Sequence, residues 1–425
     1  MTIDRTKAPD YKTIDSIEYI KANPLTLDNN IQLFTIHVGY QEVIKLDFIF
    51  EAGEWVQNAS LISEYTVNML QEGTQKFAAS ELAEKLDYLG AYIYYSSTKH
   101  TNVISVYTLS KHIIETLGII EDIIKRPIFP EHRFSVYNGK KLQQYIIESQ
   151  KVEVISQQIF SKNLFGNNHP YGISASTESF EKINLNHLIS FHQTNIRSNN
   201  CKIIAAGMVD EQVIQAINKY FGGNDWACTT EKPALSWQKE PSNNYKQYLE
   251  KPDAVQSAIR IGKELVNKHH PDFPALQVFN TVFGGYFSSR LMTNIREDKG
   301  YTYGIGSGLV SHREAGYFVI VSQVGKDVYQ KALHEIYYEL EKLQKELIPD
   351  EELQLVKNYM MGTILRNFDG AFALSENLKT LLEYNIGYEY YDNFIQIVRN
   401  VSSTDLQAIA ISYFKDQQLY EVIAG

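Results

Sequence analysis

Cysteine is nearly absent from this 425-residue chain, which has only Cys201 and Cys228. Two thiols cannot build a disulfide framework or a four-cysteine zinc site, and such scarcity fits a reducing compartment. No apolar run approaches the roughly eighteen residues that a membrane-spanning helix requires. The opening MTIDRTKAPDYKTIDSIEYIKANP is polar and of mixed charge. It lacks the apolar segment of a secretory signal, so the expected location is cytoplasmic, with the periplasm left open. Clustered Lys/Arg is also missing and the net charge is −10, which excludes nucleic acid as an expected partner. Gly284-Gly285 is not followed by Lys-Ser/Thr, so it is no phosphate loop. No G-x-S-x-G elbow occurs, and neither cysteine sits in a catalytic signature.

What remains is an ordinary globular composition, 44% hydrophobic and 21% charged, in a chain long enough for two or three domains. Alternating apolar runs predict a strand pair over 31–37 and 43–51, then strands at 92–95 and 102–109. Helical periodicity covers 61–71, which Gly73 ends, and 79–89, 111–125, 132–149, 154–164 and 185–195. Residues 222–244 lose periodicity and carry Pro233 and Pro241, the pattern of a linker. The order then restarts. Residues 184–207 (NLNHLISFHQTNIRSNNCKIIAAG) and 402–425 (SSTDLQAIAISYFKDQQLYEVIAG) have equal length, and each reads as helix, polar turn and strand ending in Ala-Gly. The expected fold is α+β with two similar halves. Each half is a mainly antiparallel sheet with helices on one face, and the two face each other as a clam. The boundaries are 1–222, a linker at 223–244, and 245–425.

Residues 283–308, FGGYFSSRLMTNIREDKGYTYGIGSG, read as a glycine elbow, a short helix, a turn and a strand. Phe287, Leu291 and Ile295 recur every fourth residue as one apolar helix face, and Ser288 or Ser289 can cap it. Lys299-Gly300 suits a helix end. Tyr301, Tyr303 and Ile305 then alternate with smaller residues as in a strand. The turn is expected to bring Arg296 and Tyr303 towards one another.

The GGYFSSRL…IR…GYTY block, IFSKNLFGNNHPYG at 159–172, Glu72-Gly73-Thr74 and the paired endings resemble the inverted-zincin peptidases. The likeness is to the pitrilysin and insulinase type, in the branch of mitochondrial processing peptidase. The resemblance covers essentially the whole chain. It implies a helix carrying H-x-x-E-H, in which two histidines hold zinc and the glutamate polarises water. Here the matching positions are Glu64, Val67 and Asn68, and the distal glutamate falls near Gln144. Valine cannot take a proton from water, and Asn68 and Gln144 are poor zinc ligands without imidazole. No metal is therefore expected in this chain, although Glu64, Asn68 and Glu72 are oxygen donors spaced at four. His169, His187, His192, His269 and His270 read as ordinary packed or surface residues. The resemblance further implies that Arg296 and Tyr303, spaced as in the family motif, hold the substrate backbone and stabilise the tetrahedral intermediate.

The expected function is then a non-catalytic subunit of a heterodimeric zinc endopeptidase. Its partner would be a homologous subunit bearing H-x-x-E-H and the zinc, its substrate an unfolded peptide, and a homodimer is possible in isolation. The alternative is a non-proteolytic scaffold of the same fold.

Overall fold

The structure is a computed structural model describing residues 6, 14, 17–39, 41–228, 235–416 and 418–425. Part of the predicted linker, 229–234, lies outside the described residues.

The first sheet holds β1 (Asn23–Thr26), β2 (Gln32–His37), β3 (Val43–Phe50), β4 (Tyr92–Ser97), β5 (Asn102–Leu109) and β6 (Cys201–Gly207), in the order β1-β2-β6-β3-β5-β4. The second holds β7 (Lys246–Leu249), β8 (Gln256–Leu265), β9 (Thr302–Ser311), β10 (Gly316–Gly325) and β11 (Tyr420–Ala424), in the order β7-β11-β8-β10-β9. The chain therefore repeats one topology. β6 runs parallel to β2 and antiparallel to β3, and β11 runs parallel to β7 and antiparallel to β8. The expected hairpin of β2 with β3 does not form, because the repeated ending inserts β6 between them. Sequence adjacency favours pairing, but the long return of a distant apolar strand takes the central place.

In the first half the helices are α1 (Ile62–Asn68), α2 (Ala79–Tyr88), α3 (Ile113–Lys125), α4 (Glu131–Glu148), α5 (Val152–Phe165), α6 (Thr177–Lys182), α7 (Leu185–Asn195) and α8 (Glu211–Phe221). The second half adds α9 (Phe273–Asn280), α10 (Tyr329–Lys345), α11 (Asp350–Asn367), α12 (Gly370–Tyr384), α13 (Glu389–Asn400) and α14 (Ser403–Phe414). Asn184 caps α7 by accepting from the His187 amide, and Ser402 caps α14 by accepting from the Asp405 amide. The two endings thus share their start signal as well as their strand.

Each sheet has one face covered by its own helices, as expected, but its other face is covered too. Phe368, Ala371, Leu374 and Leu378 of the second half pack on Ile36, Ile49, Val103 and Ile204 of the first sheet. Reciprocally, Phe160 and Leu164 of α5 pack on Val319, Tyr420 and Val422 of the second sheet. Gly262 of β8 makes room for α5, since a Cβ there would stand 2.9 Å from Phe160 Cζ. The halves clasp one another. Lys45 of β3 bridges them, pairing with Asp47 at 3.2 Å and with Glu376 of α12. A cavity of about 380 Å³ remains between β4/β5 and α12.

Histidines also sit in this joint. His100 Nε2 lies 2.6 Å from the Tyr171 hydroxyl, and His312 stacks on the Tyr171 ring with centroids 4.2 Å apart. Burial, helped by Arg313, pushes His100 down to about 3, and burial pushes His312 and His192 down to about 4. An unfolded chain binds protons at these imidazoles near pH 6.5 that the folded chain refuses. Their contribution to stability is full above pH 6.5 and is lost as pH falls towards 4. Melting curves at pH 7.5, 6 and 5 should show a progressive fall in Tm, reduced by about a third when His312 alone is replaced by glutamine, since His100 and His192 keep their own share.

Candidate functional site

The first candidate region is the segment from Glu64 to Glu72. α1 ends at Asn68, a short 3₁₀ turn Leu70–Glu72 follows, and Gly73 takes φ +147°, a conformation that glycine adopts readily. Glu64, Asn68 and Glu72 share a stripe because they are spaced at four. α4 presents its own stripe at the same spacing in the reverse order. Glu64 Oε1 pairs with Lys141 Nζ at 2.6 Å. Asn68 lies beside the Tyr137 phenol, and its amide donates back to the Glu64 carbonyl at 2.8 Å. Glu72 Oε2 meets Arg133 Nε at 3.6 Å. The Tyr137 hydroxyl, desolvated by burial, is pushed to a high pKa and has no hydrogen bond of good alignment.

These residues do not fit a divalent metal. The carboxylate at the first-histidine position already faces an ammonium, and the amide beside it is turned to its own backbone. Val67, at the general-base position, is 0% exposed within the first-half core. Gln144 does not join the group. It is exposed on α4, and Lys141, one turn earlier, faces Glu64 instead. No group of three or more His, Cys, Asp or Glu side chains suited to a metal occurs among the described residues. Lys141 was missed from the sequence because its importance depends on α4 lying antiparallel to α1. The signal available was the spacing of Arg133, Tyr137 and Lys141 at four. The Glu64–Lys141 pair is about a third exposed on either side, at 40% and 32%. Replacing Lys141 by alanine should therefore cost less than about 1 kcal/mol in urea unfolding, and it should not confer zinc binding in a titration.

The second region is the 283–308 segment. Two π-helical stretches, Thr281–Gly285 and Met292–Asp298, frame it. Such wide turns are uncommon and recur at functional sites. Gly300 at φ +65° ends the second stretch, its amide donating to the Arg296 carbonyl at 3.2 Å. Leu291 and Ile295 are buried as the periodicity predicts, but Phe287 is 62% exposed. It lies in the turn before the helix, and the Ser289 hydroxyl is buried without a partner rather than capping. Phe287 instead carries the Arg296 guanidinium 4.6 Å above its ring.

Tyr303 does not share a face with buried Ile305. β9 holds one extra residue opposite β10, where Ile305 pairs with Ser322 but Thr302 pairs with Val324. This bulge turns Tyr303 outwards to 94% exposure. Arg296 and Tyr303 therefore stand on consecutive elements without a hydrogen bond or ring contact between them. Tyr303 is presented to solvent, whereas Arg296 is half-buried with its guanidinium on the Phe287 ring. Tyr303 borders a groove of about 480 Å³ between β8, β9, β10 and the start of α5.

Residues 182–360 match the family model described as the peptidase M16 inactive domain. The chain is 23% identical to the Bacillus subtilis protein named uncharacterized zinc protease YmxG, covering 85% of this chain and 88% of that one. It is 25% identical to the probable inactive metalloprotease YmfF of the same organism, over 56% of each. The resemblance to zinc peptidases drawn from the sequence motifs therefore holds, without singling out the mitochondrial processing peptidase branch. Among solved structures, a peptidase M16 inactive domain from Pseudomonas fluorescens superposes with a TM-score of 0.86 at 22% identity, over 96% of this chain and 98% of that one. The periplasmic protease PqqL of Escherichia coli gives 0.80 at 13% identity, covering 100% of this chain but 48% of PqqL. These likenesses bear out the two-part α+β fold. No helix among the described residues is long and apolar enough to cross a membrane.

Proposed function

We propose that this chain is the non-catalytic subunit of a two-chain zinc endopeptidase. Zinc and H-x-x-E-H belong to a homologous partner. Residues 245–425 present Arg296 and Tyr303 to the partner's site, and residues 1–222 help to wall a chamber that admits unfolded peptide. The cytoplasm is its place, where Cys201 and Cys228 stay reduced, outside any disulfide. The observation that carries this reading is the contrast between the two regions. The metal positions are closed by the Glu64–Lys141 pair, whereas Tyr303 is left almost wholly in solvent, with no hydrogen bond or ring contact among the described residues. A fork of guanidinium donors suits peptide carbonyls, and a phenol suits a developing oxyanion.

The chain purified alone should retain no zinc in elemental analysis and should cleave no peptide in an EDTA-sensitive way. Stoichiometric zinc with EDTA-sensitive cleavage would contradict the assignment. The scaffold reading predicts instead that Arg296 and Tyr303 can be changed without effect on any peptidase.

A further inference from the structure

Arg260 of β8 has no explained role in the fold. It shares a cross-strand row with Val321, Gly306 and Val422, on the face that α5 partly covers. Its stem therefore lies against apolar side chains, and its Nε is buried without a hydrogen-bond partner. Burial lowers its pKa, and among the described residues only the Tyr317 phenol, itself kept neutral by burial, acts against that. No carboxylate of the described residues pairs with it. Glu153 borders the same groove but forms no ion pair with the guanidinium. A desolvated cation left unpaired is costly, and in a folded protein it is ordinarily matched by an anion.

The space beside it is kept clear. β9 carries Gly304, Gly306 and Gly308 along this stretch; a Cβ added at Gly304 or Gly308 would meet nothing within 4 Å, and one at Gly306 would meet only the Gly284 carbonyl oxygen, at 3.3 Å. The groove that Arg260 lines is the one that Tyr303 borders. The missing anion can thus arrive on whatever lies along β9.

We propose that Arg260 is a carboxylate-binding subsite, which takes an acidic side chain or the C-terminal carboxylate of a peptide lying in the Tyr303 groove. The subsite rests on the reading of that groove as peptide-facing. It makes Arg260 a specificity residue rather than a catalytic one. The guanidinium would offer N–H donors to the carboxylate through its terminal nitrogens, since its Nε is buried. A charge-assisted pair of this kind should favour the acidic peptide by about tenfold to a hundredfold.

The test uses the full chain alone and fluorescence anisotropy with three short fluorescein-labelled peptides of one sequence. One is neutral and C-terminally amidated, one carries a single internal glutamate and is amidated, and one is neutral with a free C-terminus. Tighter binding of the second identifies a side-chain carboxylate, and of the third a chain terminus. In either case the preference should vanish in Arg260→Met, which keeps the apolar stem, and largely persist in Arg260→Lys. Equal affinity for all three peptides, binding of none, or a preference unchanged in Arg260→Met overturns the proposal. Neither partner nor cleavage is needed, so the two readings fail separately. A chain that activates its partner yet shows no charge preference loses only the subsite. A charge preference lost in Arg260→Met, in a chain that activates nothing, removes only the subunit assignment.

Discussion

Replacing Tyr303 by phenylalanine should lower kcat of the reconstituted two-chain peptidase by about 10²–10³-fold, the usual consequence of losing one oxyanion donor. The phenol is 94% exposed, so its removal takes no packing from this chain. Stability should change by no more than about 0.5 kcal/mol, as for other open surface positions. A large fall in kcat with an unchanged Tm therefore separates a catalytic contribution from a folding defect. Arg296→Ala should raise KM as well as lower kcat, because a guanidinium on peptide carbonyls acts in both ground and transition states. Phe287→Ala should give a weaker version of the Arg296 defect, since the ring under the guanidinium restricts where it can point. Steady-state kinetics on the mixed chains, with melting curves on each variant alone, check all three.

Rebuilding the metal motif should fail, and fail through folding. The change Glu64→His with Val67→Glu and Asn68→His restores H-x-x-E-H in letters. Val67, however, is fully buried in the first-half core, so a carboxylate there enters an apolar environment. The expected loss in urea unfolding is about 3 kcal/mol or more for Val67→Glu alone, the scale for an unpaired buried charge. The triple variant should also remain zinc-poor, because Lys141 still directs an ammonium at position 64. Zinc uptake at one equivalent with no loss of stability would show that the segment is a dormant site and not a converted one.

The parts of this molecule that were legible in sequence are those set by local pattern. The repeated endings identified a duplication because each carries its own helix cap and its own apolar strand. Gly73 and Gly300 marked turns that need positive φ. What was not legible depends on partners far along the chain. Nothing in 31–51 announces that β6, from beyond residue 200, will separate β2 from β3. The clasp of α5 and α12 across the halves is equally silent, since amphipathic helices advertise a buried face but not its partner. At the site, residue spacing placed Arg296 and Tyr303 correctly on a helix end and a strand start. It could not supply the extra residue in β9 that turns Tyr303 away from Ile305, nor the displacement of Phe287 from the buried stripe to a ring beneath Arg296. Lys141 and Arg260 escaped for the same reason, because each matters through what the fold does or does not place opposite it.

The central claim is that this chain lends donors to a metal carried elsewhere. The most direct measurement is peptide cleavage by the chain alone, by a homologous chain of similar length with intact H-x-x-E-H, and by the two mixed. Cleavage should be absent from the first, weak or absent in the second, and strong in the equimolar mixture, abolished there by EDTA. Full activity of the H-x-x-E-H chain by itself, unchanged on adding this one, would contradict the account.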